Sequence, residues 1–474
     1  RYLFESYRRP EKPIDVQLRG FKTVEQLDLN EVNSLGHMVL CSNAQFYSIP
    51  LSVVDSSADN GKATHRPLTV KEIYGSIQHC WLDSNNHSVD RRFQLGVLTA
   101  VDRDTWTDAR YKLLSTESNR QSILSLENAK FVLHLDASCP VDVADRLKET
   151  AIGINAGSRW YDNGMQWVVF KNGHTGYIME HSQLDALPVV RLHEELFTFL
   201  KADRHDFSAL EAGVVVPNVE KLKWDIPEAI QRVITSSFGV YESIHSDWQV
   251  LCKRLNGLGT DVLKSNGFSP DSFMQVCFQL AYYRLYAKIP SVYETVATTV
   301  FRDGRTEAGR SVTAESRNFV TSFDSTKGSR LQKKEMLERA CKSHSHRIAE
   351  ARKGRGVDRH LFALHQCARE NNIGSIPSLL QASDKNALLQ KASCWDLSTS
   401  HVTSPNCSKL DHGIAFHPVG LDSIGIVYSM YGTRIDFTIM YDARSELVSG
   451  KHFLETVFHS FYDLVYLITE QPKL

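Results

Sequence analysis

A histidine and an aspartate four residues apart are the first pair of side chains in this sequence that could do chemistry. His181 and Asp185 follow residues 165 to 180, where two β-branched and aromatic runs flank Lys171-Asn172-Gly173 and predict a β-hairpin. A histidine at a strand end can offer one ring nitrogen to a cleft while a local acceptor holds the other. This arrangement suits a general base oriented by Asp185. The alternatives are a structural histidine and a structural ion pair between Asp185 and an arginine.

Residues 304 to 311 come close to a phosphate-binding loop, with Val300-Phe301 before them as a candidate strand. Arg310 stands where such a loop needs lysine, and Glu307 would face the phosphates, so we do not expect nucleotide hydrolysis. His344-x-His346 lies in a charged segment, which predicts a solvated helix face.

Two further motifs leave their roles open when each is taken separately. Ser398-Thr399-Ser400 is three hydroxyl residues in a row, which is ordinary in a loop. Arg359 follows Asp358 and could be a helix-surface arginine.

The order of the motifs along the chain resembles the choline/carnitine acyltransferase family. The matching segments are Gly96-Val97-Leu98-Thr99-Ala100, Arg103-Asp104-x-Trp106, His181-Ser-Gln-Leu-Asp185-Ala, Lys264-Ser-Asn-Gly-Phe-Ser269-Pro-Asp271, Tyr293-Glu294, Gly304-Arg305-Thr306-Glu307, Gly356-Val357-Asp358-Arg359-His360-Leu361 and Ser398-Thr399-Ser400. The chain begins at Arg1 and lacks the family's N-terminal portion, so we expect upstream sequence to be missing.

The resemblance implies reversible transfer of a short acyl group, acetyl or propionyl, between coenzyme A (CoA) and carnitine. The implied catalytic residues are His181 as general base, Ser400 as donor to the oxyanion, and Asp185. The implied CoA residues are Lys264, Ser269 and Asp271, and the implied carnitine residues are Tyr293, Thr306, Arg359 and Ser398. The alternatives are a medium-chain carnitine or choline acyltransferase, or an inactive truncated paralogue that only binds CoA.

Four positions bear on how closely the family pattern is followed. Ala308 replaces a hydroxyl residue, Thr260 a second CoA lysine, and His401 the glutamine after the serine motif. Ile414 falls near a site that is bulky in short-chain members, which favours acetyl or propionyl. Acyl-CoA and carnitine are then the expected small-molecule partners, with no permanently bound cofactor and no metal.

The elements that must position these residues alternate between strand and helix patterns, which predicts an α/β (α+β) chain. The resemblance implies two similar acetyltransferase-type αβ domains with a tunnel at their interface, here residues 1–222 and 223–474. A second hairpin is predicted between Ile424 and Ile439, and a helix from Ser269-Pro270-Asp271 through an apolar face ending at Leu285, before Pro290. The apolar face from Leu454 to Ile468 predicts a last helix.

Composition excludes several classes of function. The 474 residues are 42% hydrophobic and 23% charged with a net charge of -1, which argues against nucleic acid as a partner and against a transmembrane segment. The 9 scattered cysteines suit a reducing intracellular compartment. We expect a cytoplasmic, mitochondrial or peroxisomal monomer; the tail Pro472-Lys473-Leu474 resembles a peroxisomal address.

Overall fold

The hydrophobic core divides in two along the chain. In the computed structural model, which describes residues 4, 6–19, 36–55, 64–202, 216, 218–371, 394–404 and 413–469, the units are Arg1–Ser246 and Asp247–Leu474. The boundary lies one helix later than the sequence boundary at 222, because Ile230, Ile234 and Phe238 of that helix pack in the first core. Within the described ranges, no helix combines the length and the apolar character needed to span a bilayer.

The first unit contains a six-stranded mixed sheet with the strand order β10-β4-β3-β7-β8-β9. Strands β3, β7 and β8 are parallel, and the other pairs are antiparallel. Its elements are β1 (Ser6–Arg9), β2 (Val16–Arg19), β3 (His37–Ser42), β4 (Gln45–Pro50), β5 (Ser52–Asp55), β6 (Thr64–Pro67), α1 (Val70–Asn85), α2 (Arg103–Leu113), α3 (Glu117–Asn128), β7 (Val132–Asp136), α4 (Val143–Ile152), β8 (Met165–Phe170), β9 (Thr175–Met179), α5 (Ala186–Ala202), β10 (Glu220–Lys221) and α6 (Glu228–Asp247).

The second unit also contains a six-stranded mixed sheet, in the order β11-β16-β15-β14-β12-β13. Its elements are β11 (Trp248–Asn256), α7 (Thr260–Ser265), α8 (Pro270–Tyr286), β12 (Val292–Ala297), β13 (Thr306–Ala308), α9 (Ala314–Ser322), α10 (Arg330–Arg352), α11 (Asp358–Glu370), β14 (Leu397–His401), β15 (Ile424–Met430), β16 (Arg434–Asp442) and α12 (Gly450–Ile468).

The two sheets share one pattern of strand pairing. Read across each sheet in the order given, the pairs are antiparallel, antiparallel, parallel, parallel and antiparallel. In both sheets a lone central strand, β7 or β14, lies between two hairpins. This confirms the predicted mixed α/β class with two similar units, although the sequence itself contains no visible repeat.

Three predicted elements are confirmed. β8 and β9 form the first hairpin, β15 and β16 form the second, and α12 is the predicted last helix. Helix α8 also begins as predicted, with Ser269 as N-cap and Pro270 in its first turn. It ends at Tyr286, before Pro290, because Ala287 adopts a left-handed conformation with φ of 49°. Its side chains are buried without a break from Ser272 to Tyr282, whereas Leu285 is exposed, so α8 is a central helix rather than an amphipathic one.

One local prediction is wrong. Val300-Phe301 is not a strand, because β12 ends at Ala297 and the chain turns back, with Gly304 N–H donating to the Phe301 carbonyl. The stretch from 304 to 311 contains strand β13 rather than a loop that opens a helix, which fits the exclusion of a phosphate loop. The tail Pro472-Lys473-Leu474 lies outside the described residues.

Gly96 fills a position in the first unit where a side chain cannot fit. It lies in the short 3-10 helix Leu95–Ala100, and a Cβ atom there would be 2.3 Å from the Arg159 carbonyl oxygen and 2.5 Å from that of Gly157. Both neighbours are backbone atoms, which cannot rotate away. At Gly239, in the interior of α6, a Cβ atom would have no neighbouring atom within 4 Å outside its own helix turn.

We expect Gly96→Ala to lower the melting temperature, since forced overpacking costs about 1–3 kcal/mol or more. The matched change Gly239→Ala should raise it slightly, because alanine in a helix is favoured over glycine by roughly 0.5–1 kcal/mol. Thermal unfolding of the two variants beside the parent measures both effects. Equal melting temperatures for Gly96→Ala and the parent would contradict the packing described here.

Candidate active site

His181 lies just beyond the end of β9, as predicted, and its ring is held by the backbone. Its Nδ1 atom is 2.6 Å from the carbonyl oxygen of Leu184. Because a carbonyl can only accept, Nδ1 carries the proton and the neutral ring keeps its lone pair at Nε2. The side chain is 62% exposed. This is the tautomer that a general base requires, with its basic nitrogen on the side away from the backbone contact.

Asp185 does not make the hydrogen bond that fixes this tautomer. Its Oδ1 atom is 3.8 Å from Nδ1 of His181, which is beyond hydrogen-bond length. At that distance a carboxylate still attracts a positive charge. Leu184 therefore sets the tautomer, while Asp185 can stabilise the imidazolium form.

Strand β2 anchors the loop that carries His181. Ser182 Oγ donates to Oε1 of Gln17 at 2.7 Å, and Gln183 Nε2 donates to the carbonyl oxygen of Leu18 at 3.2 Å. Ser182 also hydrogen-bonds the carboxylate of Glu180. The short loop is thus fixed on both sides of the histidine.

In the second unit, four of the predicted site residues share one face of the sheet. Tyr293 is the register partner of Ser398, and Thr306 pairs with Ala297, which lies on the same face of β12 as Tyr293. Ser400, two residues after Ser398 on β14, also points to this face. Ser398 is buried, and Tyr293, Thr306 and Ser400 are half-buried.

Arg359 lies beside Thr306 at the start of α11. Its Nε donates to the Thr306 carbonyl oxygen at 3.2 Å, and its backbone N–H donates to Oε1 of Glu307 at 3.2 Å. The same Glu307 oxygen accepts the N–H of Ala308 at 2.8 Å. Gly356 permits this approach, because a Cβ atom there would be 2.3 Å from Cγ of Glu307. Glu307 therefore fixes the start of α11 relative to β13, and the Arg359 side chain is exposed.

Trp395 extends the aromatic surface next to Tyr293. The two rings meet edge to face with centroids 5.5 Å apart, and the guanidinium of Arg310 lies 4.7 Å from the Trp395 centroid. Arg310 is also paired with Asp358, the residue before Arg359.

The opposite face of the sheet is tied to α8 by a buried amide. Gln275 Nε2 donates to Thr399 Oγ1 at 2.9 Å and to Tyr428 Oη at 3.1 Å. Thr399 Oγ1 in turn donates to the carbonyl oxygen of Tyr293 at 2.9 Å. These bonds hold β12 and β14 in register and leave Ser398 and Ser400 on the other face.

His344 is buried, so its assignment to a solvated helix face is wrong. Its Nε2 is 2.6 Å from Oε2 of Glu294, and its Nδ1 is 2.8 Å from Oγ of Ser272. Burial lowers the pKa of His344, but the hydrogen bond and charge of Glu294 outweigh burial and raise it. Burial raises the pKa of Glu294, and the direct hydrogen bond lets the buried pair share a proton. His346, two residues later, is exposed.

Asp271 forms a second polar cluster at the first turn of α8. Its Oδ1 accepts from Tyr428 Oη at 2.6 Å and is 3.3 Å from Nδ1 of His401. Burial by itself would raise the pKa of Asp271, but the contacts with His401 and Tyr428 lower it to about 2. The His401 ring stacks on Tyr428 with centroids 5.0 Å apart.

The other predicted CoA residues flank Asp271. Lys264 is exposed near the end of α7, and Ser269, also exposed, caps α8. The start of α7 is seated against the turn between β15 and β16, where a Cβ atom on Gly259 would be 2.2 Å from the Tyr431 carbonyl oxygen.

The segment carrying Ile414 lies over the same face of the sheet as the two serines. Gly425 is the register partner of Ser398, and a Cβ atom on Gly425 would be 2.9 Å from the Phe416 carbonyl oxygen. Ile414 is half-buried, two residues before Phe416.

Asp271, Glu294 and His344 are three metal-ligating side chains whose donor atoms lie within 4.8 Å of one another. Two ligands of one tetrahedral zinc ion, each ~2.0–2.2 Å from it, lie about 3.3 Å apart. His344 and Glu294 are 2.6 Å apart, which is a direct hydrogen bond. The arrangement fits proton sharing rather than ligation.

The second unit thus brings three predicted carnitine residues onto one sheet face, with Arg359 beside them on α11, and the predicted CoA residues around the start of α8. His181 and Asp185 belong to the first unit. Sequence reasoning missed the partners that hold these residues, namely Leu184, Gln275, Glu307 and His344. Glu294 and Glu307 stand in segments that match the family, and this was the available indication that they support the site.

Comparison with known proteins gives one family. The model of the family described as "Choline/Carnitine o-acyltransferase" matches residues 1–458. Carnitine O-acetyltransferase of Columba livia is 28% identical over 450 residues, covering 92% of this chain and 67% of that protein. The muscle isoform of carnitine O-palmitoyltransferase 1 of Sus scrofa is 31% identical over 380 residues, covering 76% and 47%.

Among solved structures, the wax ester synthase/diacylglycerol acyltransferase of Marinobacter aquaeolei VT8 is 13% identical. The match covers 71% of this chain and 79% of that one with a TM-score of 0.34. A score this low supports no argument about this chain.

We expect the Asp271, Glu294 and His344 cluster to bind no metal, because His344 and Glu294 already bond each other and Asp271 accepts from Tyr428. Dialysis against EDTA, and then addition of zinc or manganese, should change the melting temperature by less than about 2 °C, the shift expected for roughly 1 kcal/mol of binding. A rise that grows with metal concentration and disappears in Asp271→Asn would contradict this expectation.

Proposed function

Because this chain belongs to the choline/carnitine O-acyltransferase family, we propose that it transfers a short acyl group, acetyl or propionyl, reversibly between CoA and carnitine. The observation that carries the proposal is the geometry of His181. Its Nδ1–H is committed to the Leu184 carbonyl, so the neutral ring is basic at Nε2. A base of this kind can deprotonate a hydroxyl or thiol nucleophile directly.

The reaction proceeds without an acyl-enzyme. Nε2 of His181 takes the proton of the carnitine hydroxyl while the oxygen attacks the thioester carbonyl of acyl-CoA. The tetrahedral oxyanion receives a hydrogen bond from Ser400. The carbon–sulfur bond then breaks, and the imidazolium returns its proton to the leaving CoA thiolate. Asp185 favours the imidazolium stage by its charge.

Carnitine is the cosubstrate that the second unit suits best. Its carboxylate requires fixed donors, which Tyr293, Thr306 and Ser398 supply as hydroxyl groups and Arg359 as a cation. Choline has no carboxylate and would leave Arg359 without a role. The half-buried hydroxyl groups lie on the sheet face that also carries Ser400.

CoA is assigned to the start of α8. Lys264 is the cation for its ribose phosphate, with Ser269 and Asp271 nearby. Thr260 stands where the family has a second lysine, so this region has one cation fewer. Since Lys264 is exposed, the missing cation should weaken CoA binding only modestly.

The acyl chain is proposed to be short because Ile414 is a large side chain in the segment over the sheet face that carries Ser398 and Ser400. The relative named carnitine O-palmitoyltransferase 1 makes a longer acyl group the main alternative. A CoA-binding protein without turnover is the second alternative, favoured by the departures at Thr260 and Ala308.

We expect the chain to release thiol from acetyl-CoA only when carnitine is present. His181→Ala should lower kcat at least ~100-fold, since general base catalysis contributes about 10²–10⁴. CoA binding by calorimetry should be unchanged, because the base acts on the proton and not on the nucleotide. His452→Ala, at an exposed histidine of α12, is the control and should keep full activity. A His181→Ala rate within about tenfold of the parent, a barrier change of only ~1.4 kcal/mol, would overturn the assignment.

We expect Arg359→Asn to weaken carnitine binding at least ~30-fold, since bound carnitine would cover a guanidinium that is exposed without it. Truncating one partner of a charge pair that is desolvated on binding costs about 2–5 kcal/mol. The change in choline use should be small or upward, because choline offers no carboxylate to Arg359. Arg355→Asn, at an exposed arginine paired with Glu350 just before α11, is the matched control. Apparent constants for carnitine and choline in the three proteins decide the question. If carnitine affinity falls equally in both variants, Arg359 is an ordinary surface arginine.

A further inference from the structure

We propose that His344 is a positioning residue that couples the CoA-binding start of α8 to the carnitine-binding strand β12, so that each cosubstrate tightens the binding of the other. This inference rests on the proposed function and deepens it. It concerns a residue outside the matched motifs, on a helix that contributes no proposed substrate contact.

The geometry places His344 between the two binding segments. Through Nδ1 it bonds Ser272, which is next to Asp271 in the first turn of α8. Through Nε2 it bonds Glu294, which is next to Tyr293 on β12. One imidazole therefore spans from a residue adjoining the CoA site to a residue adjoining the carnitine site.

Burial makes this connection stiff. His344 is 1% exposed, Ser272 2% and Glu294 4%. A buried polar group that loses its partner cannot turn to water, so each of these bonds is costly to break. Glu294 is held further by the hydroxyl of Ser311 at 2.5 Å, and Ser272 by that of Ser345 at 2.7 Å. Movement at one end of the chain of bonds must therefore be accompanied by movement at the other.

A stiff connection of this kind links two binding events. The first cosubstrate to bind fixes its own segment and, through His344, the other segment as well. The second cosubstrate then meets a segment that is already ordered, and less of its binding free energy goes into ordering. By linkage, the gain in affinity must be the same in both directions.

Two substitutions each preserve one arm of the connection. In His344→Asn the amide lies near the place of Nδ1 and can reach Ser272 but not Glu294. In His344→Gln the amide extends towards the place of Nε2 and can reach Glu294 but not Ser272. If His344 acts as a bridge, both variants lose the coupling although each keeps one hydrogen bond.

Ser272→Ala provides a test that leaves the buried His344 and Glu294 pair in place. It removes the hydroxyl that joins the pair to α8. If either His344 variant fails to fold, this variant still decides the proposal. His346→Gln, at the exposed histidine two residues away on the same helix, is the matched control.

The experiment is calorimetry on the full chain, with carnitine titrated in the absence and in the presence of saturating CoA. We expect CoA to tighten carnitine binding by about fivefold or more in the parent and in His346→Gln, within the range usual for coupled sites. In His344→Gln, His344→Asn and Ser272→Ala the factor should fall below about twofold. Steady-state rates should show raised KM values for both cosubstrates with kcat within about threefold of the parent, a division that general destabilisation would not produce.

An unchanged coupling factor in folded Ser272→Ala or His344 variants would overturn the inference while leaving the acyltransferase proposal intact, provided that the parent transfers acetyl groups. A parent that is active but shows no coupling would overturn it equally. A parent that binds neither CoA nor carnitine would overturn the proposed function and the inference with it.

Discussion

The parallel pairing of β14 with β12 and β15 is the constraint on which the second unit depends. Alternation along β14 places Ser398 and Ser400 on one face and Thr399 and His401 on the other. A slip of one residue would exchange the faces and put the two serines against α8. Gln275 prevents the slip, because its amide reaches Thr399 and Tyr428 from the buried side. The face that carries the proposed substrate residues is thus fixed by contacts on its opposite side.

Both units share one pattern of strand pairing, yet their proposed site residues lie in different parts of that pattern. In the first unit the histidine follows the edge strand β9 and is held by the backbone of its own loop. In the second unit the proposed substrate residues lie on β12, β13 and β14 and on helix ends, supported by buried polar side chains. The proposed base is therefore oriented by its own loop, which strand β2 anchors, whereas the proposed binding groups depend on contacts between distant segments throughout.

That difference explains what the sequence could predict. The hairpin before His181, the hairpin from β15 to β16 and the start of α8 follow from turn residues, alternation and capping, which act over a few positions. The burial of His344 follows from helical spacing, since it shares one face of α10 with the buried residues Leu337, Cys341 and Ile348. Its partner Glu294 could not be foreseen, because it lies fifty positions away on another element. The Leu184 carbonyl was equally invisible, because the spacing of side chains says nothing of backbone acceptors. Likewise, the unit boundary depends on which core receives α6, and that is a matter of packing.

Glu307 has a consequence for the charge that a substrate meets. This carboxylate lies next to Thr306 and close to Arg359, where a direct ion pair would neutralise the guanidinium. Instead it accepts two backbone N–H groups, those of Ala308 and Arg359, and the guanidinium donates to the uncharged carbonyl of Thr306. The Glu307 carboxylate thus hydrogen-bonds the main chain and not the guanidinium. A carboxylate arriving at Arg359 would therefore not have to displace Glu307 from the guanidinium.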